Sequence, residues 1–282
     1  MALTINTNIS SLIAQRNLNN ATNALNTSIE RMTTGYKVNH ASDNAADYSI
    51  AKLWTTQLSS LDVAADNAST GIDMLTTTEE TYSLLTDHLQ RVRDLTEQAS
   101  NGTYGGQSLE AIKAEITARL QEFDRIAANA EFNGVKLMTG AITADIKLQV
   151  GLYADVNSQI VMSKDLFAKT TCKDLLGKEI DAMATACSAN DTAPAELTNL
   201  DTAIKTLSTR ATNIGAVQNR VSSAISAIDV QAQNLTSSLS TLRDTDVAEE
   251  SSNYIKAQIL QQASATLLST ANQLPSIALN LI

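Results

Sequence analysis

Leu200, Leu207, Ile214, Val221, Ile228, Leu235 and Leu242 stand seven residues apart in a stretch that no proline interrupts. Such a repeat keeps one apolar stripe of a helix against a neighbouring helix, so it fixes both the secondary structure and the mode of packing. The run covers 43 residues, and at 1.5 Å per residue it predicts a helix of about 65 Å. Ala211, Ile225, Ala232 and Leu239 fall at second seam positions. Trp54, Leu61, Ala68, Leu75, Tyr82 and Leu89 form another seven-residue series, which predicts a helix from about Asp47 to Ala99 that stops at Asn101-Gly102. A further helix, capped by Ser108, is predicted from Leu109, Ile112, Ile116, Leu120, Phe123 and Ala127. With only 2 Pro, 10 Gly and 4% aromatic residues in 282, little breaks these patterns. The expected fold is mainly α: an elongated bundle of long heptad-patterned helices.

Two stretches depart from that period. Val135-Lys136-Leu137, Ile146 to Val150 and Gln159 to Met162 alternate or cluster like short strands between turns at Gly140, Gly151 and Asn157-Ser158, which predicts a small β-hairpin element. Lys164 to Pro194 shows no sustained period and contains both cysteines, Cys172 and Cys187. A disulfide between them is open to the chain in an oxidising compartment, closing a loop worth about 3 kcal/mol. Two free thiols are the preferred reading, and the spacing suits neither a CxxC redox motif nor a zinc site.

The chain ends carry the least charge. Arg16 is the only charged side chain in the first 29 residues, and Ala257 to Ile282 has none. Leu18, Leu25 and Met32 recur at sevens near one end, and Leu260, Leu267, Leu274 and Leu281 near the other. Leaving the last four in water would forfeit on the order of 10 kcal/mol. The N- and C-terminal helices are therefore expected to pair, with other copies of the chain as further cover, because two short helices bury only one seam. A head-to-tail contact that does not close a ring yields a helical filament. A monomeric bundle with sticky ends would explain the seams, but it explains the charge-free ends poorly.

The seam is lost over residues 33–47 and slips by four residues at Asp244-Thr245-Asp246. The layout is then nested: residues 1–42 and 244–282 form a terminal helical core domain, 43–177 and 195–243 a domain of long helices with hairpins, and 178–194 a short variable insertion.

The net charge of −10 argues against binding nucleic acid. Gln and Asn interrupt the uncharged tail too often for a membrane span, and no basic leader precedes an apolar run at the start. Only His40 and His88 are present, and no HExxH, GxxxxGK[ST] or GxGxxG occurs. A solvated loop position is the reading for His40 beside Ser42 and Asp43. No catalytic, cofactor or metal site is expected.

MALTINTNISSLIAQRNLN at the start, LQRVRDLTEQASNGTY from Leu89, AEITARLQEFDRIAANAEFNGVKL from Ala114, and IGAVQNRV followed by AQILQQASATLLSTANQLPSIALNLI resemble bacterial flagellin. The resemblance implies a core domain built from both chain ends, a second domain of long helices and hairpins around it, and a nearly absent outer variable domain. It implies a structural subunit, not an enzyme, polymerising with itself into the extracellular flagellar filament for swimming. It also implies export by the flagellar secretion apparatus without a cleaved signal, a chaperone at the C-terminal segment, and hook-associated and cap proteins as partners. Arg91, Leu95 and Glu115 match positions by which Toll-like receptor 5 recognises family members. A hook-filament junction protein, with similar ends, is the alternative. The chain departs from the family at Asp43 to Ile50, where Asp47 replaces the usual Gly of a DDAAGLAI-like motif, and in having cysteines at all.

Overall fold

Asn8 sets the first helix: its side-chain oxygen accepts from Ser11 N at 3.1 Å, while its amide donates to Ala271 O at 2.7 Å. In this computed structural model, which describes residues 7–279 and side-chain surroundings for residues 7–273, α1 runs Ile9–Thr34 and ends at Gly35 in the left-handed conformation, φ 75°. It is followed by α2 (Ala45–Ala99) and α3 (Gly106–Asn129). Next come β1 (Glu131–Phe132), β2 (Val135–Lys136), β3 (Ile146–Gln149) and β4 (Gln159–Met162). The order closes with α4 (Cys172–Leu176), α5 (Ile180–Ser188), α6 (Ala193–Arg243) and α7 (Val247–Leu279). The chain divides into two compact units, Met1–Leu58 with Gln233–Ile282, and Ser59–Ala232. Both divisions fall inside long helices: the first in α2, after the irregular connection at residues 33–47, and the second in α6, before the connection at Asp244-Thr245-Asp246 that the sequence suggests as a boundary.

The core of the second unit is the expected heptad seam. Leu61, Ala68, Leu75, Tyr82 and Leu89 of α2 and Leu200, Leu207, Ile214, Val221 and Ile228 of α6 are all buried. The face Ile112, Ile116, Leu120, Phe123 and Ala127 of α3 is buried with them. The N-cap of α3 is Gly105, not Ser108, whose N–H already bonds Gly105 O at 2.9 Å inside the first turn. Two antiparallel hairpins follow, β1 with β2 and β3 with β4. Asn133 (φ 48°) and Gly134 (φ 78°) make the tight turn of the first, the pair of left-handed residues that a two-residue hairpin loop requires. The second lies on α2: a Cβ at Gly71 would stand 2.6 Å from Leu148 Cδ2, so β3 approaches that helix where there is no side chain.

The segment without a period folds into the core. After a 3-10 turn at Lys164–Phe167, α4 and α5 bury Leu166, Phe167, Leu176, Met183 and Ala184 in the same cluster as α2 and α3. Residues 178–194 lie within the second unit and contribute Met183, Ala184 and Cys187 to its core. No disulfide forms: Cys172 and Cys187 are both free and buried. Cys172 Sγ contacts Leu120 O at 3.4 Å. Burial pushes both thiols up, aided at Cys172 by Asp124, and Cys187 reaches about 11.

Asp47 needs no left-handed backbone; among the described non-glycine residues only Asn133 has positive φ. The Asn44 side chain caps α2, accepting from Ala46 N at 3.1 Å and Asp47 N at 3.3 Å, and donates to Asp47 Oδ2 at 2.6 Å. A carboxylate in the first helical turn is also favoured by the helix dipole.

Candidate functional site

The first unit is organised by the pairing of α1 with α7. Ser11 Oγ donates to Asn272 Oδ1 at 2.7 Å, Gln261 Nε2 to Thr22 Oγ1 at 3.2 Å, and Arg31 Nη1 lies 3.8 Å from Glu250 Oε2. Partner numbers fall on one helix as they rise on the other, so the two run antiparallel. Their buried seam is Ala14, Ala21 and Ser28 against Glu250, Ala257, Ser264 and Ala271, each series at intervals of seven. Side chains this small let two backbones approach closely, which gains dispersion contacts along the length of both helices.

The leucine series therefore does not form the seam between the end helices. Leu18 and Leu25 are half-buried, Met32 is 38% exposed, Leu260 49% and Leu267 62%. The Leu274 side chain and all of Leu281 lie outside the described residues. Ile9, Leu12, Ile13, Ile255 and Ile259 are exposed as well. Between Ile13, Asn17, Leu267 and Thr270 a cavity of about 490 Å³ opens along the pair.

The two connections flanking these helices run side by side. Tyr36 bridges Asp244 in antiparallel fashion, Lys37 N donates to Arg243 O at 2.7 Å and Thr245 N to Gly35 O at 2.9 Å. The Arg243 guanidinium stacks 3.8 Å from the Tyr36 ring centroid. Asp43 accepts from Asn39 N and His40 N, and those backbone bonds hold its carboxyl below the usual carboxylate range. Asp246 caps α7, accepting from Ala248 N at 2.8 Å and Glu249 N at 3.2 Å. His40 is an exposed loop residue with Glu30 2.8 Å away.

The second group of residues singled out in the sequence is only partly brought together. Arg91 binds Glu115 through Nη2 at 2.8 Å and Nε at 2.9 Å, joining α2 to α3. Leu95 is 2% exposed, so its side chain belongs to the core and is not presented on that face. Leu85, Val92 and Ala99 lie at sevens beside it and are buried with it; that spacing was the sign of a core position.

Residues 5–143 match the bacterial flagellin N-terminal helical region and residues 197–282 the bacterial flagellin C-terminal helical region. The chain is 34% identical over 313 residues to a flagellin of Xenorhabdus nematophila, covering 100% of both. It is 30% identical over 287 residues to the flagellar filament 33 kDa core protein of Treponema phagedenis, covering 99% of both. In fold it is similar to a putative flagellar hook-associated protein from Vibrio parahaemolyticus, with TM-score 0.61, 14% identity, and 72% of this chain and 100% of the other covered; at that identity the likeness concerns fold alone. Matches to both terminal regions and full-length identity place this chain in the bacterial flagellin family.

Proposed function

We propose that this flagellin works by packing alone, as the structural subunit of the extracellular flagellar filament, with the outward faces of α1 and α7 as its core polymer interface. The observation that carries the reading is the division of labour on those helices. Ala and Ser satisfy the pairing within one chain, while Met32, Leu260 and Leu267 are left open for other copies. Covering a fully exposed leucine is worth about 1.5 to 3 kcal/mol, so a few such positions repeated in every subunit drive assembly. The positions Leu18, Leu25, Leu274 and Leu281 belong to the same proposed surface. Membership of the family favours a filament subunit over a hook-filament junction protein.

The apolar face would be a liability before assembly, which supports export through the flagellar apparatus with a chaperone over the C-terminal segment. Hook-associated and cap proteins are the proposed partners at the two ends of the polymer. Recognition by Toll-like receptor 5 is proposed on Arg91 and Glu115, whose side chains are 42% and 38% exposed, with Leu95 shaping the helix from beneath. Loss of receptor binding in Arg91→Ala without loss of folding is expected, and unchanged binding removes this assignment.

Deletion of residues 260–282 tests the main reading. The truncated protein should stay in the supernatant under conditions where the full chain sediments as filaments seen by electron microscopy. Ordinary filaments from the truncated chain would overturn it.

A further inference from the structure

Asp66, Asp73, Glu80, Asp87 and Asp94 repeat every seven residues along α2, and all five are exposed. At 1.5 Å per residue the rungs are about 10.5 Å apart and the line spans about 42 Å. Among the described residues no ion pair engages them. Arg93, which feels Asp94, spends its bonds on Asp201 and Glu97. Neighbouring rungs sit about one Debye length apart at ordinary salt, so their repulsion is small while their combined field is not.

The same unit carries a counterpart. A groove of about 570 Å³ lies between α6 and the segment after β4, and Arg210, Asn213, Val217 and Arg220 line it from one face of α6. Arg210 donates to Thr170 Oγ1 at 2.8 Å, beside the Tyr82 hydroxyl, and Arg220 is exposed. Among the described residues neither guanidinium has a carboxylate within 4.0 Å, and Asp165, the acidic residue in the lining, forms no ion pair with them. Two arginines around a groove suit carboxylates, which their planar forks bind in bidentate fashion.

We propose that this groove receives the acidic ladder of α2 from a second copy of this chain. The inference rests on the filament reading and adds the charge contact that sets subunit register. Arg210 and Arg220 are about 15 Å apart along α6, a span that two flexible guanidinium side chains can adjust to two successive rungs. Groove and ladder are different surfaces, so the contact is heterologous and propagates instead of closing on a two-fold axis.

Critical concentrations for polymerisation, measured by sedimentation at low salt, test this. Arg220→Glu, at an exposed position, should raise the value at least about tenfold, as should the ladder variant Asp73→Lys, Glu80→Lys, Asp87→Lys. Combining the two sets should give a lower value than either alone, because opposite charges again face each other. The differences should shrink as salt rises to about 0.5 M. If Arg220→Glu loses helix content by circular dichroism, Arg220→Gln is read instead, with a rise of about threefold expected. A wild type that forms no filaments defeats the filament reading. Filaments from the wild type with unchanged values in the single sets, or no recovery in the combination, overturn the groove alone.

Discussion

Arg31 Nη1 stands 3.8 Å from Glu250 Oε2, and among the described residues this is the ion pair that joins α1 to α7. The Glu250 side chain is 7% exposed and that of Arg31 33%, and Arg31 Nε is buried without a hydrogen bond. A charge pair in a seam otherwise made of Ala and Ser fixes register at the cost of desolvation. Arg31→Met leaves the carboxylate buried and unpaired, with an expected loss of about 2 kcal/mol for a pair this long and partly solvated. Arg31→Met with Glu250→Leu should recover most of it. Thermal dissociation of filaments followed by light scattering measures both.

The seam and the outer face should respond to opposite changes. Ala21 is 6% exposed, and Ala21→Leu overpacks the helix pair at about 1 to 3 kcal/mol. Amide exchange in α1 and α7 within the filament should accelerate accordingly. Leu267→Ala removes an outward side chain, so exchange along the Ala and Ser seam should stay close to wild type while the critical concentration rises.

Tyr82 is fully buried, and its hydroxyl donates to Leu166 O at 2.8 Å. Burial raises its pKa, although Arg210 opposes the shift. A raised phenol contributes stability that is complete below its unfolded pKa of about 10 and is lost as pH climbs through the higher folded value. Denaturant midpoints should therefore fall above about pH 10. Tyr82→Phe should cost about 1 kcal/mol at neutral pH, by stranding the Leu166 carbonyl, and should show a shallower alkaline decline.

Cys172 and Cys187 sit in the core with raised thiol pKa values. Thiolate is the reactive form, so a thiol reagent at neutral pH should label neither in the folded protein and both in denaturant. Mass spectrometry of native and unfolded samples gives the count; rapid native labelling would contradict the burial.

How much of this was legible depends on apolar amplitude. Leu200 to Ile228 announces its buried stripe because large and polar residues alternate at a helical period. Beyond it the same series weakens: Leu235 and Leu242 are only half-buried. The short helices α4 and α5 could not be read, since 5 and 9 residues complete too few turns to establish a period. Asp47 departs from its motif without strain, because Asn44 caps the helix there, a contact that motif comparison does not reveal.

By itself the sequence determined that the chain is built of long helices and that its ends lack charge, since each follows from local spacing and side-chain chemistry. Tertiary structure alone decided which face of α1 meets α7. Hydrophobicity pointed to the leucines, but Ala14, Ala21, Ala257 and Ala271 are the residues buried in the seam, because the gain from close approach depends on both partners being small at matched positions, which no single segment reveals.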